Sequence, residues 1–565
     1  MTQSQESSPS AQANNNIVNS TPEPDSLPAE LSGLEKIRHR LKPLLLYAVS
    51  TAQFLDIVNG ASVAVALIPI ADDLDFKVSQ VLWIINAYTI AFAGLLLVSG
   101  RLGDLFGHRF LFLGGLTWFS TLSLIVSFST TPLMFIIARA LQGMGAAGTI
   151  PTATALIAIN YPAGPERTKA FSIYAGFGGM GAVTGILLAG GLIASIGWEW
   201  IFRISSIAGF VILLVGFLSI PKPPPKSEKP KVDYLGAACT TLGVTGIVYY
   251  ISTGIEEGWA SPKTLPVFII SLVLIVSFVF IESKVDNPLM PLRIWKNRTF
   301  SASVATGFIS FGMLQGFIYY VNMVFQEVYQ WTAIQTALGF LVHALLAVVC
   351  FTVLGRVMSR LPLKPIILTG FVLRCVAALM FAFVTEHTLY WKIPFPALII
   401  HIIGTSCSFL PVQISAIRDA ENKDQGLVGA IYNTALQLGA PFSLAILNVI
   451  SISTNGNTNG KVRGGPVLMK GFKNAFFAIA VIGVVAFIII FIVFPWDKPA
   501  LKSKEASAKD NDLEAGSAAG AGPAKETIVE GKAEFPEGSK FESDDASTVD
   551  SRPEDKKGTK EAFNS

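Results

Sequence analysis

Fourteen apolar stretches of roughly twenty residues follow one another along this chain, separated by short polar loops. They run over about 44–70, 81–99, 110–128, 132–159, 170–196, 200–220, 234–253, 265–281, 300–325, 333–358, 365–384, 393–414, 426–451 and 472–494. A helix rises ~1.5 Å per residue, so ~20 apolar residues cover the ~30 Å hydrocarbon core of a bilayer. Lipid offers no partner to a free backbone N–H or C=O, so each stretch has to be helical. The expected fold class is all-α integral membrane, with 14 transmembrane helices. Only 14% of the residues are charged, against about 25% in soluble domains.

Orientation follows from where Lys and Arg gather. Loops leaving even-numbered stretches hold Arg101 and Arg109, Arg167 and Lys169, Lys222 to Lys231, Lys284 to Arg298, Arg356 to Lys364, and Arg418 with Lys423. The other loops hold only Lys77, Lys263, Lys392, Lys461, Arg463 and Lys470. The first set is therefore read as cytoplasmic, with both termini inside. No signal peptide is expected ahead of the first stretch, which is expected to direct insertion itself. The longest outer loop, 453–470, lacks an Asn-x-Ser/Thr acceptor. A net charge of +3 gives no reason to expect nucleic acid as a partner. Cys239, Cys350, Cys375 and Cys407 fall inside the apolar stretches at spacings that match no metal site. No metal or other cofactor is expected.

The loop Gly100-Arg101-Leu102-Gly103-Asp104-Leu105-Phe106-Gly107-His108-Arg109 joins the second and third stretches. Its glycines permit a tight reversal. It aligns without gaps on Gly355-Arg356-x-x-Ser359-x-x-Pro362-x-Lys364, and Ile173-Tyr174 and Gly181-Ala182 align on Ile431-Tyr432 and Gly439-Ala440. Stretches one to six and nine to fourteen thus read as two related six-helix halves, with two inserted helices between them. The expected organisation is an N-terminal tail 1–41, a first half 42–220, a linker carrying the inserted pair 221–298, a second half 299–496 and a C-terminal tail 497–565. Both tails are polar and are expected to be disordered. Parallel repeats put a substrate site between halves near the midplane.

The loop resembles the signature between spans two and three of the major facilitator superfamily, Gly-x-Leu-x-Asp-x-x-Gly-Arg/Lys-Arg/Lys. Gly100, Leu102, Asp104, Gly107 and Arg109 meet it, and His108 departs from it. The resemblance implies the major facilitator fold and makes Gly100, Asp104, Gly107 and Arg109 a conformational latch. In that family the loop aspartate meets the start of a second-half helix, here near Gln425. A carboxylate at such a helix end gains ~0.3–1 kcal/mol from the dipole.

Asp56 is the one acidic residue deep inside any apolar stretch. A carboxylate there must be paired, protonated or facing water, and one that titrates near neutral pH can carry a proton. Arg139, on the fourth stretch, lies at a matching depth of ~10 Å from the outer face, against ~12 Å for Asp56. Gln142 is one turn from it. The run Arg139-Ala140-Leu141-Gln142-Gly143-Met144-Gly145-Ala146 resembles the Arg-x-x-Gln-Gly-x-Gly-Ala motif of proton-coupled exporters in the superfamily. That resemblance implies proton coupling through Asp56, Arg139 and Gln142. Gly181, Gly185 and Gly190 offer a small-residue face for close helix packing. Their stretch resembles the Gly-Pro-x-x-Gly-Gly motif of the antiporter branch, except that Ile186 stands where proline belongs and Ala189 replaces a glycine. Asn59, Asn86, Gln315, Asn322, His343, Arg374, His401, Asn433 and Gln437 are polar residues within apolar stretches and are candidates to line the cavity.

The chain as a whole looks like a fourteen-span member of the drug:proton antiporter branch, of fungal type, similar to the aminotriazole-resistance, boron-efflux and low-affinity ammonium transporter group. This implies proton-coupled export of a small molecule across the plasma membrane by alternating access, by a monomer whose partners are substrate, protons and the lipid bilayer. The vacuolar membrane is the alternative location. A facilitator for ammonium or borate is the second reading, and a non-transporting sensor is the third. No Gly-x-x-x-x-Gly-Lys-Ser/Thr loop is present, so ATP is not the direct energy source, and no enzyme activity is implied.

Overall fold

The computed structural model describes residues 44–77, 80–161, 165–221, 234–285, 290, 292–358, 361–418, 425–455 and 466–496. The expected tails and loop residues 456–465 lie outside them, as do the side chains of Arg101 and Asp104. Within the described residues the apolar stretches become helices α1 (Leu44–Asp73), α2 (Trp83–Phe106), α3 (His108–Val126), α4 (Pro132–Asn160), α5 (Pro165–Ser195), α6 (Glu199–Ser219), α7 (Tyr234–Glu257), α8 (Leu265–Glu282), α9 (Arg298–Met323), α10 (Ala333–Met358), α11 (Leu363–Ala382), α12 (Pro394–Arg418), α13 (Gln425–Asn455) and α14 (Pro466–Val493). Twelve of them are long and apolar enough to cross a membrane. The other two, α2 and α7, have no qualifying 18-residue window among the described residues.

The helix ends follow local chemistry. Thr131 caps α4 by accepting from the Met134 amide, with Pro132 in the first turn, where its missing N–H costs nothing. Asn297 caps α9 through the Phe300 amide. Gly107 separates α2 from α3 at φ +90°, a conformation that excludes a side chain in practice.

Helix pairing repeats. α1 packs on α4, α5 and α6, α3 packs on α4 and α6, and α2 packs on α4. Eight helices later, α9 packs on α12, α13 and α14, α11 packs on α12 and α14, and α10 packs on α12. Across the two sets, α5 meets α10 and α2 meets α13. α7 packs on α8 and also touches α2 and α13. Ile90 of α2, Val244 and Val248 of α7, and Ala445 of α13 form one small apolar cluster there.

The cores show where the sets join. Leu67, Ile70, Phe135 and Trp198, at the end of the bundle where α1 finishes, share one cluster with Phe317, Phe325, Phe340 and Phe381. Gln326 adds a polar stitch at that end, donating to the Val65 carbonyl of α1 (2.9 Å). At the opposite end, where loop 100–109 lies, the first set buries a core of its own around Leu45, Phe112, Leu156 and Ile220. The two sets are thus welded at one end and keep separate cores at the other.

Candidate functional site

Asp56 and Asn59 stand one turn apart on α1, in the span between the welded end and the separate cores. The Tyr88 hydroxyl of α2 donates to Asp56 Oδ1. The face of the Tyr88 ring lies 4.4 Å from the Arg139 guanidinium carbon, within the range of cation–π attraction. Arg139 Nη1 donates to Asn59 Oδ1 (2.8 Å) and to Gln142 Oε1 (2.6 Å). Gln142 Nε2 in turn donates to Ser123 Oγ of α3 (2.6 Å). Arg139 and Gln142 are buried, and Asp56 is half-buried.

The depths read from sequence anticipate a direct Asp56–Arg139 contact, and the structure differs. Tyr88 stands between them, its hydroxyl on the acid and its ring on the base. Asn59, one turn along α1, supplies the neutral oxygen that the arginine takes. A hydrogen bond through Tyr88 lets the carboxyl keep an exposed side while the cation stays dry. Tyr88 is the residue that sequence reasoning missed, because an aromatic in an apolar stretch carries no polar signal of its own.

The second set of helices holds a polar cluster of different composition. Its register on the first set comes from contacts. Tyr174 donates to Gln53 (2.7 Å), and Tyr432 lies where a side chain at Gly307 would touch its ring. A Cβ on Gly181 would strike the Phe54 carbonyl, and one on Gly439 would strike that of Phe308. One on Gly115 meets Gly145 and Gly148, and one on Gly370 meets Gly404 and Cys407. This register, with the gapless loop alignment, puts Ser310 in the place of Asp56, His343 in that of Tyr88 and His401 in that of Gln142. His343 Nε2 and His401 Nδ1 are hydrogen-bonded at 3.1 Å, and the His401 ring stacks on Phe317 at 3.7 Å. Arg374 of α11, fully buried, donates to Ser310 Oγ (2.6 Å), the Ser310 carbonyl (2.6 Å) and Ser408 Oγ (3.1 Å).

The other candidates divide. Gly181 and Gly185 press α5 on α1 at the Phe54 and Val58 carbonyls, whereas Gly190 faces Ala337 of α10. Asn322 accepts from Gln326 (2.8 Å) at the welded end. Asn86 is buried with neither amide atom partnered among the described residues. Gln315 and Gln437 are half-buried, and Asn433 is exposed. These four stand apart from the hydrogen bonds that tie each cluster together.

In the loop, nothing lies within 4 Å of a Cβ placed on Gly100. Arg109, expected as part of a latch between halves, reaches into its own half. Nη1 donates to the Ile220 carbonyl (2.6 Å) and Nη2 to that of Phe217 (2.9 Å), at the end of α6. Its repeat-mate Lys364 does the same at the end of α14, donating to the Phe491 and Phe494 carbonyls (2.8 and 2.7 Å). The physical reason is common to both: unpaired carbonyls at a helix end attract a cation.

Comparison with known proteins agrees with this architecture. The model of the Major Facilitator Superfamily matches residues 49–444. The multidrug transporter mfsC of Aspergillus fumigatus is 27% identical, over 80% of this chain and 87% of its own. The low affinity ammonium transporter of Saccharomyces cerevisiae is 26% identical, over 77% of this chain and 84% of its own. Among solved structures, a bacterial homologue of the human drug peptide transporters PepT1 and PepT2 superposes with a TM-score of 0.59 at 15% identity, covering 80% of this chain and 98% of that one. The all-helical major facilitator fold is therefore the one expected, with twelve of the fourteen expected spans meeting the length and hydropathy of a crossing among the described residues, and the chain, a multi-pass membrane transporter rather than an enzyme, belongs to the Major Facilitator Superfamily.

Proposed function

We propose that this transporter exports a small molecule in exchange for protons, by alternating access between two six-helix halves, 42–220 and 299–496. The observation that carries the reading is the half-buried Asp56 carboxyl, tied through Tyr88 to a dry arginine. Protonating Asp56 removes the negative charge beside Tyr88 and Arg139. The network can then relax, which biases the equilibrium between the two arrangements of the halves. A several-fold population shift needs only ~1 kcal/mol of differential interaction. Substrate enters between the separate cores at the end bearing loop 100–109, the cytoplasmic end in the charge-based orientation.

The export reading has the multidrug relative in its favour. All fourteen helices are taken as spans, both termini as cytoplasmic, the plasma membrane as the location and the monomer as the working unit. α7 and α8 are the inserted pair. Asp104, Gly100 and Gly107 keep the role of a latch at the cytoplasmic surface, while Arg109 anchors the loop to α6.

The test is ethidium efflux from proteoliposomes with and without an imposed pH gradient. Wild type should respond to the gradient and Asp56→Asn should not. Undiminished gradient-driven flux in Asp56→Asn overturns the coupling scheme. A second reading, a facilitator for a small polar solute such as ammonium, has the yeast relative and the missing proline at Ile186 in its favour. Methylammonium flux that ignores the pH gradient would select it.

A further inference from the structure

The second-half cluster contains a device that the coupling scheme does not use. His343 Nε2 and His401 Nδ1 sit 3.1 Å apart in the α10–α12 contact. Phe317 of α9 stacks flat on the His401 ring, 7° from parallel, and fixes its plane. His401 Nε2 is buried with no hydrogen-bond partner among the described residues. One turn along α12, Thr405 Oγ1 is also buried and unpartnered among them, and Ser408 follows on the same face. His343 is the more exposed of the two rings, at 7% against 1%.

We infer that His343 and His401 form a two-imidazole proton relay in the second half, a separate proton site in the places that Tyr88 and Gln142 occupy in the first. The inference rests on the carrier reading but not on the role of Asp56. The step is a shuttle. A proton from one water binds His343 Nδ1, the His343 Nε2–H bond breaks as a His401 Nδ1–H bond forms, and His401 releases its Nε2 proton to a second water. Both rings end neutral with their tautomers reversed, and a proton passing the opposite way, onto His401 Nε2 and off His343 Nδ1, resets them.

The second-half groups around the pair are Ser310 and Phe317 of α9, Arg374 of α11, and Thr405 and Ser408 of α12. Arg374 is the one charged group among them. Its side-chain stem lies against the Gly404 position, three residues from His401. The guanidinium donates to neutral serine oxygens. A proton that rests on His401 therefore adds a second positive charge near an existing one. The arrangement suits passage of a proton rather than its storage. Phe119, in the place of Arg374, shows that the first half lacks this feature.

The experiment is nitrogen-15 histidine NMR on the full chain in lipid nanodiscs, which needs no substrate. The wild type should show coupling across the His343–His401 hydrogen bond and exchange of the shared proton with water. His343→Gln keeps a polar side chain but removes the entrance, and proton exchange at His401 should slow at least tenfold. Absence of the coupling, or exchange at His401 that is unchanged in His343→Gln, overturns the relay. Asp56→Asn should leave all of these signals in place, so failure of the Asp56 scheme and failure of the relay are read separately.

Discussion

The two six-helix sets use one packing plan and fill it with different chemistry. In the first, a carboxyl, a phenol, two amides and a guanidinium meet at Asp56, Tyr88, Asn59, Gln142 and Arg139. In the second, the place of the carboxyl is taken by Ser310, and an arginine from another helix leans on that serine. The first cluster thus contains an acid able to gain and lose charge beside a fixed cation. The second contains a fixed cation with neutral partners. Small residues at the crossings, Gly181 on Phe54 and Gly439 on Phe308, are retained in both. The two sets share how the helices touch and differ in what their polar faces carry. A carboxyl beside a buried cation is thus found in the first cluster and not in the second.

The largest expected effect separates the two clusters. Asp56→Asn should reduce gradient-driven ethidium flux by at least about tenfold, ~1.4 kcal/mol in rate terms, whereas Ser310→Ala should stay within about twofold. Equal losses in both would mean that the clusters are interchangeable. In stability rather than flux, Arg374→Ala should destabilise the purified protein by about 2–4 kcal/mol, since it leaves a cavity and three serine oxygens without their donor. Thermal unfolding in detergent measures this, and an unchanged midpoint would contradict the packing role. Tyr88→Phe keeps the ring under Arg139 but removes the hydroxyl from Asp56. A hydrogen bond to a charged group is worth about 1.5–3 kcal/mol, so gradient-driven flux should fall by roughly tenfold while expression and insertion persist.

The smallest effects sharpen the comparison most. Arg109→Met and Lys364→Met each remove a cation from the end of a half's last helix and should cost about 1–2 kcal/mol apiece. Similar shifts in unfolding midpoint would confirm that the repeated loops do equivalent work. Tyr174→Phe breaks the bond to Gln53 and should cost about 1 kcal/mol. Tyr432→Phe should be neutral or slightly stabilising, because the Tyr432 hydroxyl is buried opposite Gly307 without a partner among the described residues. The same substitution with two signs is a direct test of the register.

The sequence made the scaffold legible because lipid demands long apolar helices and because the loop repeat survives without gaps. Arg109 and Lys364 could be paired on paper, but not their destinations, since helix-end carbonyls carry no residue signature. Asp56, Arg139 and Gln142 were findable because charge and amide are rare in apolar stretches. The depth estimate brought acid and base to one level but could not rotate them about their axes. That missing angle is why Tyr88, placed between them, and Asn59, the oxygen that the arginine takes, were not legible. The same gap explains Asn433 and Gln437. Their spacing of four places them on one face, but it does not say that they stand outside the hydrogen bonds of both clusters. His343 and His401 are far apart in sequence, and only the α10–α12 crossing reveals them as a pair.

The central claim is that protonation of Asp56 shifts the balance between the two arrangements of the halves. It is tested most directly by a distance across the separated end. Phe106 and Leu361 are exposed there at matching places in the repeated loops, so spin labels at the two positions in a cysteine-free background report the gap. The account predicts a distance distribution that moves with pH in the wild type and is fixed in Asp56→Asn. A distribution that moves equally with pH in Asp56→Asn would contradict it.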